Sequence, residues 1–592
     1  MCGIIGITGK NISAYNKETL DAMLGKLSKR GPDDCGTVLF PTCLLGQTRL
    51  SIIDLTSGHQ PMSDNKRDMA ITFNGEIYNY RELKKDLETK GYIFSTNSDT
   101  EVIIKAYQEY GDECPKYLDG MFAFAIWDNE KKRLFMARDR FGEKPLYYVF
   151  DDKKNLLIAS EIKALFESRQ IKGKIDYEAI DNYLTLMYIP PWKTVYKNIN
   201  VIPPASFSVF ENNNLQIKKY WQLEKMGAPT TYTEAKEEVR RLLTESVEKR
   251  MIADVEIGSF LSGGVDSTLI TAIAQSFSET PIKTFSVGYQ DYINELPFAA
   301  EAAQKIGTDH HTLQAKDDMV QELETAIEYF DEPHADSSDF PQYILSKFTA
   351  QKVKVALSGD GADELFLGYG WYTRHKNLSY RAHFKEKVFM NPFDGYLNAV
   401  QVFTPKERAV LWKNHGYVNG DFINDEMINS KLSSAEKINL FDLTTYLPGQ
   451  LLVKSDRMGM MNSLEVRSPF LDYHLAEFVY RLPDDYKTNT TMFKRILKDI
   501  LGEIMPQEFV HRRKQGFGAP VKKWLRKETF KKEVCEKLYN SNADIYSVMD
   551  EQFVKTMIDN FYLTGNDQYN YKIWVLYCLE LWFNSHKQYF AP

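Results

Sequence analysis

The sequence predicts a two-domain α+β and α/β protein: a layered α+β domain, then a doubly wound parallel sheet with a helical carboxyl-terminal part. Three observations carry this. At 592 residues the chain exceeds what one hydrophobic core can serve. Its first two hundred residues are short apolar runs broken by turns, whereas from about residue 232 helical and strand-like segments alternate. Hydrophobic residues make up 43% and charged residues 26%, an ordinary globular balance that excludes disordered and fibrous classes.

The first domain is expected over 2–210. GIIGI, CLLGQ, MAITF, FAFAIWD, RLFMA and LLIAS are short runs rich in Ile, Phe and small residues, which favours strands. Residues 19–30 and 100–111 have helical period. The proline pairs from residue 189 onward predict a final hairpin and a connector, with the linker at 211–231. The second domain is expected over 232–592. TEAKEEVRRLLTESVEKRM reads as a helix, VEIGSFL as a strand, DSTLITAIAQSF as a helix, KTFSVGY as a strand, LPFAAEAAQKIG as a helix and KVKVALSG as a strand. That alternation predicts a parallel sheet with ligands at the carboxyl ends of its strands.

A net charge of -8 leaves no electrostatic footprint for nucleic acid or an anionic membrane. Six scattered cysteines without a CxxC pair argue against zinc, iron-sulfur or a disulfide framework and fit a reduced, cytoplasmic setting. There is no basic leader and no apolar stretch near 18 residues, so neither secretion nor membrane spanning is expected.

Chemistry begins at Cys2. If Met1 is removed, Cys2 carries a thiol and a free α-amine whose pKa values lie near ~8.5 and ~7.7 to 8, so the amine can take the thiol proton. Four polar clusters sit at strand edges: RGPDD (Arg30 to Asp34), Arg49, Asn74-Gly75-Glu76, and Asp99. Singly each reads as a turn or a cap, and SDTE is a good helix cap. Together with a thiolate they supply the parts of acyl transfer. Asn74 and the Gly75 N–H can stabilise an oxyanion, Arg49 can clamp an α-carboxylate, and Asp99 can hold an α-ammonium.

CGIIGI, RGPD, RLSIID, FNGEIYNY, SDTEV, DGMFAFAIWD, RDRFGEKPLYY and ASEIKAL resemble, in order over about 165 residues, the glutaminase domain of class II, N-terminal-nucleophile glutamine amidotransferases. The resemblance implies a four-layered αββα sandwich, with Cys2 as nucleophile and Arg49, Asn74, Gly75, Glu76 and Asp99 binding glutamine. Gln47 departs from the histidine that related sequences often carry, a difference read as tuning.

In the second domain the site candidates fall at strand ends: SGGVDS (Ser262, Gly263, Gly264, Val265, Asp266, Ser267), Val287-Gly288, and SGDGADE from Ser358. SGGVDS follows a strand and opens a helix, so its N–H groups can cradle an anion, although the same text also serves as a plain strand-turn-helix junction. No Gly-Lys pair is followed by Ser or Thr, which excludes a Walker loop. Asp266 and Asp360 suit Mg²⁺ bound jointly with phosphate, though Asp360 before glycine also reads as a turn residue. The stretch 454–472 threads Lys454, Asp456, Arg457, Glu465 and Arg467 through apolar text, and buried charges must be paired or functional. Asp456 with Arg457 and Glu465 with Arg467 are the expected pairs. Lys454, with no sequence neighbour, is the candidate for stabilising a transferring phosphoryl group.

SGGVDS resembles the pyrophosphate loop of ATP pyrophosphatases. With TFSVGY, IGTDHH, DEPHADSS, VALSGDGADELF, TYLPGQLLVKSDRMGMMNSLEVRSPFLD and KQGFGAP, residues 233–530 resemble the synthetase domain of the asparagine synthetase family. This implies that Leu261, Ser262, Gly263, Gly264, Asp266, Ser267, Val287, Ser358 and Gly359 contact ATP, that Asp360 and Lys454 serve the chemistry, and that ATP and Mg²⁺ are used. It further implies aspartate, glutamine and ATP as substrates, a β-aspartyl-AMP intermediate, and a homodimer. Ammonia made at Cys2 is expected to cross a dry passage between the domains. His334 and Leu367 stand where relatives commonly have an aromatic and a glycine. Alternatives are amidation of another carboxylate such as a uronic acid or antibiotic precursor, a non-catalytic binding protein, and an RNA-modifying pyrophosphatase, which the acidic balance disfavours.

Overall fold

The computed structural model describes the chain apart from residues 65–67, 226, 228–229, 290–294, 316–319, 373–391, 413–421, 424–426, 428–431, 490–491, 513–517 and 591–592. Two six-stranded antiparallel sheets build the amino-terminal half. One runs in spatial order Ile199–Val201, Tyr147–Phe150, Leu156–Ala159, Cys2–Thr8, Cys43–Arg49, Asp34–Phe40. The other runs Asn214–Lys219, Ser206–Glu211, Arg133–Arg138, Gly120–Asp128, Met69–Ile77, Met62–Ser63. Cys2–Thr8 packs against Met69–Ile77 across the sandwich. Helices Lys17–Lys26 and Ile162–Phe166 cover the first sheet and Tyr80–Thr89 and Asp99–Tyr110 the second side, giving the αββα layers. Every residue of Cys2–Thr8 is buried. With both its faces covered, GIIGI reads as an unbroken apolar run instead of an alternating one.

The stretch expected as linker opens with regular structure. Asn214–Lys219 pairs with Ser206–Glu211, and the turn residues Asn212 and Asn213 have φ of 53° and 61°. Asparagine tolerates this left-handed region, and such a pair matches a two-residue hairpin turn. The amino-terminal half therefore keeps its sheet to Lys219, and the irregular connector before the helix Tyr232–Arg250 is shorter than 211–231.

The second half holds a five-stranded parallel sheet in the order Asp309–Ala315, Lys283–Tyr289, Ile257–Phe260, Val355–Leu357, Glu465–Arg467. Chain order reverses about Ile257–Phe260, so the crevice between its carboxyl end and that of Val355–Leu357 is a topological switch point. SGGVDS and SGDG lie at those two ends. The edge strand Glu465–Arg467 was not expected as a strand. Its Val466 packs with Phe260, Phe285 and Ala356, and strand alternation turns Glu465 and Arg467 to the opposite side, toward the amino-terminal half. Before it, a π-helix Asp442–Leu451 containing Pro448 continues into the α-helix Leu452–Met460. One apolar cluster joins Met1, Leu50 and Ile52 of the first half to Leu447, Leu451 and Met460 of the second. Of KQGFGAP, residues 514–517 lie outside the described residues.

Candidate active sites

Cys2 begins its strand opposite Arg49 and is almost fully buried. Its backbone N–H donates to Asn74 Oδ1 at 2.9 Å, and its carbonyl oxygen accepts from Arg30 Nε at 3.0 Å. Burial pushes the thiol pKa up, against the nearby Met1 ammonium, the Leu50 amide, Gln47 and Arg49. The Asn74 side-chain nitrogen is fully buried and has no hydrogen-bond partner. An unsatisfied buried donor is destabilising by roughly 1–3 kcal/mol, so it marks a place where an acceptor is due. Gly75 has φ of 152°, and a Cβ there would meet Met121 O at 2.0 Å, so the close approach that demands glycine is to the neighbouring strand.

Of the remaining glutaminase residues, Gln47 and Arg49 act on this thiol, and all have partners that the sequence left open. Arg49 donates to the Ile53 and Asp54 carbonyls at 2.9 Å, which fixes its guanidinium against the following loop. Gln47 accepts from Thr72 Oγ1 and Phe73 N and donates to Phe73 O, so it is tied to the strand that carries Asn74. Asp99 heads its helix and accepts from Ile77 N at 3.1 Å; burial raises its pKa to about 6. Glu76 binds Arg467 of the second half at 2.7 Å, and burial, then Asp99 and Glu465, keep its carboxyl well above the ordinary range despite that arginine. Met1 carries the amine in this chain, 3.0 Å from Glu465 Oε2 with both groups buried.

At the switch point lies a cavity of about 770 Å³. Leu261, Ser262, Gly264, Asp266, Ser267, Val287, Ser358, Gly359, Asp360 and Lys454 line it. Gly263 does not; its φ of 71° turns the loop, and a Cβ there would strike the Phe298 backbone at 2.6 Å. Its carbonyl accepts from Arg512 instead. The loop is braced by Ser262 and Ser267, whose hydroxyls lie 3.1 Å apart, and Ser262 Oγ accepts from Gly264 N at 3.2 Å. The helix Val265–Ser276 starts at Gly264 with no side-chain cap. Its first N–H groups and dipole therefore favour an anion.

Lys454 has partners: it donates to Ser338 Oγ at 2.8 Å and lies 3.8 Å from Asp336. Asp360 Oδ2 accepts from Ser358 and Ser455 at 2.8 and 3.0 Å. The residue that sequence reading missed is Lys494, whose ammonium sits 2.5 Å from Asp266 and 2.8 Å from Asp363. It belongs to none of the motifs, and its only signal is a lone lysine before a helix. Asp266 Oδ1 stays without a hydrogen-bond partner. That orphaned oxygen beside an anion-binding loop fits Mg²⁺, which takes one or two carboxylates plus phosphate oxygens. The expected pairs Asp456–Arg457 and Glu465–Arg467 are present at 3.2 and 2.7 Å, and each also reaches across to the first half. His334 stacks on Phe330 and binds Asp339 at 2.7 Å, outside the lining of this cavity. Leu367 holds φ of 53°, the shape a glycine adopts freely.

A family model described as asparagine synthase matches residues 238–584, and one described as a glutamine amidotransferase domain matches 1–221. The chain is 32% identical to the glutamine-hydrolyzing asparagine synthetase 1 of Bacillus subtilis, covering all of this chain and 98% of the relative. It is 31% identical to a putative glutamine-hydrolyzing asparagine synthetase of Mycobacterium tuberculosis over 98% of this chain and 97% of the relative. To the putative asparagine synthetase 2 of Methanocaldococcus jannaschii it is 36% identical, over 66% of this chain and 78% of the relative.

Proposed function

Because the chain belongs to the glutamine-hydrolysing asparagine synthetase family, an enzyme family of glutamine-dependent amidation, we propose that its two sites divide one reaction between them. At the first, removal of Met1 leaves the Cys2 amine beside Asn74 Oδ1, free to take the thiol proton. The thiolate attacks the glutamine carboxamide, and Asn74 Nδ2 with the Gly75 N–H stabilises the oxyanion. Ammonia leaves, and water hydrolyses the glutamyl thioester to glutamate. At the second site the aspartate side-chain carboxylate attacks ATP in line, giving β-aspartyl-AMP and pyrophosphate; ammonia then displaces AMP.

The observation that carries this reading is the pairing, in one chain, of an unpartnered Asn74 amide at Cys2 with an uncapped SGGVDS helix under the large cavity. Lys454 and Lys494 line that cavity and supply positive charge for the phosphates. Asp266, with Asp360 across the switch point, would hold Mg²⁺, which neutralises phosphate charge when bound. The apolar cluster from Leu50 and Ile52 to Leu447 and Leu451 supports a dry route for ammonia, which is neutral and nucleophilic only away from water. Among the described residues no helix is long and apolar enough to cross a membrane. A homodimer in the cytoplasm completes the proposal.

Pyrophosphate release with glutamine and a panel of acceptors tests it. Aspartate is expected to stimulate release and to yield asparagine; release with a uronic acid but not aspartate would overturn the assignment. A second test uses Asp99. If its carboxylate holds the glutamine α-ammonium, KM for glutamine should rise about fivefold as pH falls from 6 to 5, because with a pKa of about 6 the carboxylate goes from about half to about a tenth ionised. Asp99→Asn should bind glutamine weakly with a flat profile. The same raised pKa means that Asp99 favours the folded state fully below its unfolded value near ~3.9 and that this contribution is lost as pH rises through about 6.

A further inference from the structure

The helix Leu452–Met460 runs between the two sites, and four consecutive residues divide their side chains between them. Lys454 and Ser455 face the ATP cavity through Ser338 and Asp360, at 2.8 and 3.0 Å. Asp456 and Arg457 turn to the amino-terminal half. Asp456 takes both terminal nitrogens of Arg30, at 2.8 and 2.9 Å, while Arg30 Nε donates to the Cys2 carbonyl at 3.0 Å. Arg30 is fully buried, so no water competes for these bonds. Cys2 is thus gripped on both sides of its Cα: Asn74 holds its nitrogen and Arg30 its oxygen.

A bidentate guanidinium-carboxylate pair fixes orientation as well as distance. Arg30 has one other anionic partner, Glu161 at 2.9 Å, but that carboxylate already serves Arg457 at 3.3 Å and Lys163 at 2.8 Å. Three cations, Arg30, Arg457 and Lys163, therefore face three carboxylates, Glu161, Asp331 and Asp456. Neutralising Asp456 leaves the cations in excess and pulls Arg30 toward Glu161, away from the Cys2 carbonyl. A displacement of a reacting group by about 1 Å is enough to slow a reaction on the order of a hundredfold.

We propose that Asp456, contributed by the synthetase half, is a positioning residue for the glutaminase nucleophile: acting through Arg30 it sets the Cys2 backbone, and it ties that geometry to the turn that carries Lys454 and Ser455 into the ATP cavity. The glutaminase site is complete only when the second half is docked. This rests on Cys2 being the nucleophile, so Cys2→Ala is assayed beside the other variants.

The test uses the full-length chain with Asp456→Asn, which keeps the shape and removes the charge. Its kcat for glutamine hydrolysis is expected to fall at least about tenfold, with KM for glutamine changed less than about threefold, because Arg30 touches the nucleophile's backbone and not the candidate glutamine ligands. Pyrophosphate release driven by added ammonia should stay within about twofold, which also shows that the variant folds. Arg30→Met and the double variant Arg30→Met/Asp456→Asn should lose similar activity, since both break one pathway. An unchanged kcat for Asp456→Asn, a parallel loss of the ammonia-driven reaction, or additive losses in the double variant would each overturn the positioning role. If Cys2→Ala hydrolyses glutamine normally, it is the nucleophile assignment that fails; if Cys2→Ala is inactive and Asp456→Asn is not, only the positioning role fails.

Discussion

Replacing Cys2 by alanine is expected to cut glutamine-dependent asparagine formation by about 10⁴-fold or more, the scale of losing a covalent nucleophile. Synthesis from added ammonia should stay within about twofold. The reasoning is spatial. Cys2 lies in the antiparallel sandwich, while the cavity at the switch point is bounded by a separate parallel sheet, so a change from thiol to methyl leaves SGGVDS and its serine braces intact. Assays of glutamate, asparagine and pyrophosphate in parallel give the answer. Loss of the ammonia-dependent reaction would contradict two sites with separate chemistry.

The second large effect is expected from Lys494→Met, which keeps the stem and removes the charge. Lys494 adopts φ of 53°, so methionine inherits the same backbone cost and the comparison isolates the ammonium. Without it, Asp266 and Asp363 lose the ammonium that both contact. Removing one preorganised charge aimed at a transferring phosphoryl group typically slows the reaction on the order of 100-fold. Pyrophosphate release from ammonia, aspartate and ATP should fall by that order while glutamine hydrolysis without ATP persists. Arginine should not rescue, because the site is closed on the Gly368 side, where even a Cβ would lie 2.1 Å from Lys494 Cε and from Asp363 Oδ1. Normal pyrophosphate release by Lys494→Met would remove Lys494 from the site.

Both halves were legible where local pattern decides the structure. The unbroken run GIIGI, the helical period of DSTLITAIAQSF and the glycine turn in SGGVDS each fix their own backbone, so the motifs and the observed strands and helices coincide. What escaped was set by partners far along the chain. Arg30 and Asp456 are 426 positions apart, and Glu76 and Arg467 are 391. Adjacency suggested Asp456 with Arg457 and Glu465 with Arg467; both pairs form, yet the stronger geometry of Asp456 is with Arg30. Glu465–Arg467 hid as a strand because it is only three residues long, too short for its alternation of polar and apolar residues to register. Glu76 is expected to bind glutamine, and the Arg467 that its carboxylate also meets at 2.7 Å has no signal in the sequence around it. The π-helix Asp442–Leu451 has no signature of its own, since widening a helix by one residue per turn depends on what packs against it.

The edge strand Glu465–Arg467 also sets a timetable for synthesis on the ribosome. Its backbone closes the parallel sheet while its side chains receive the Met1 ammonium and Glu76. The amino-terminal sandwich has all its strands once Lys219 has emerged, but Arg467 is made 248 residues later, which is 467 minus 219. At roughly 5–20 residues per second, that is an interval on the order of 10–50 s in which Glu76 waits for Arg467, and for nearly all of which Arg30 has Glu161 but not Asp456. If Asp456 positions the thiol through Arg30 as proposed, a nascent chain passes through that interval holding a finished sandwich and a thiol site that does not yet hydrolyse glutamine.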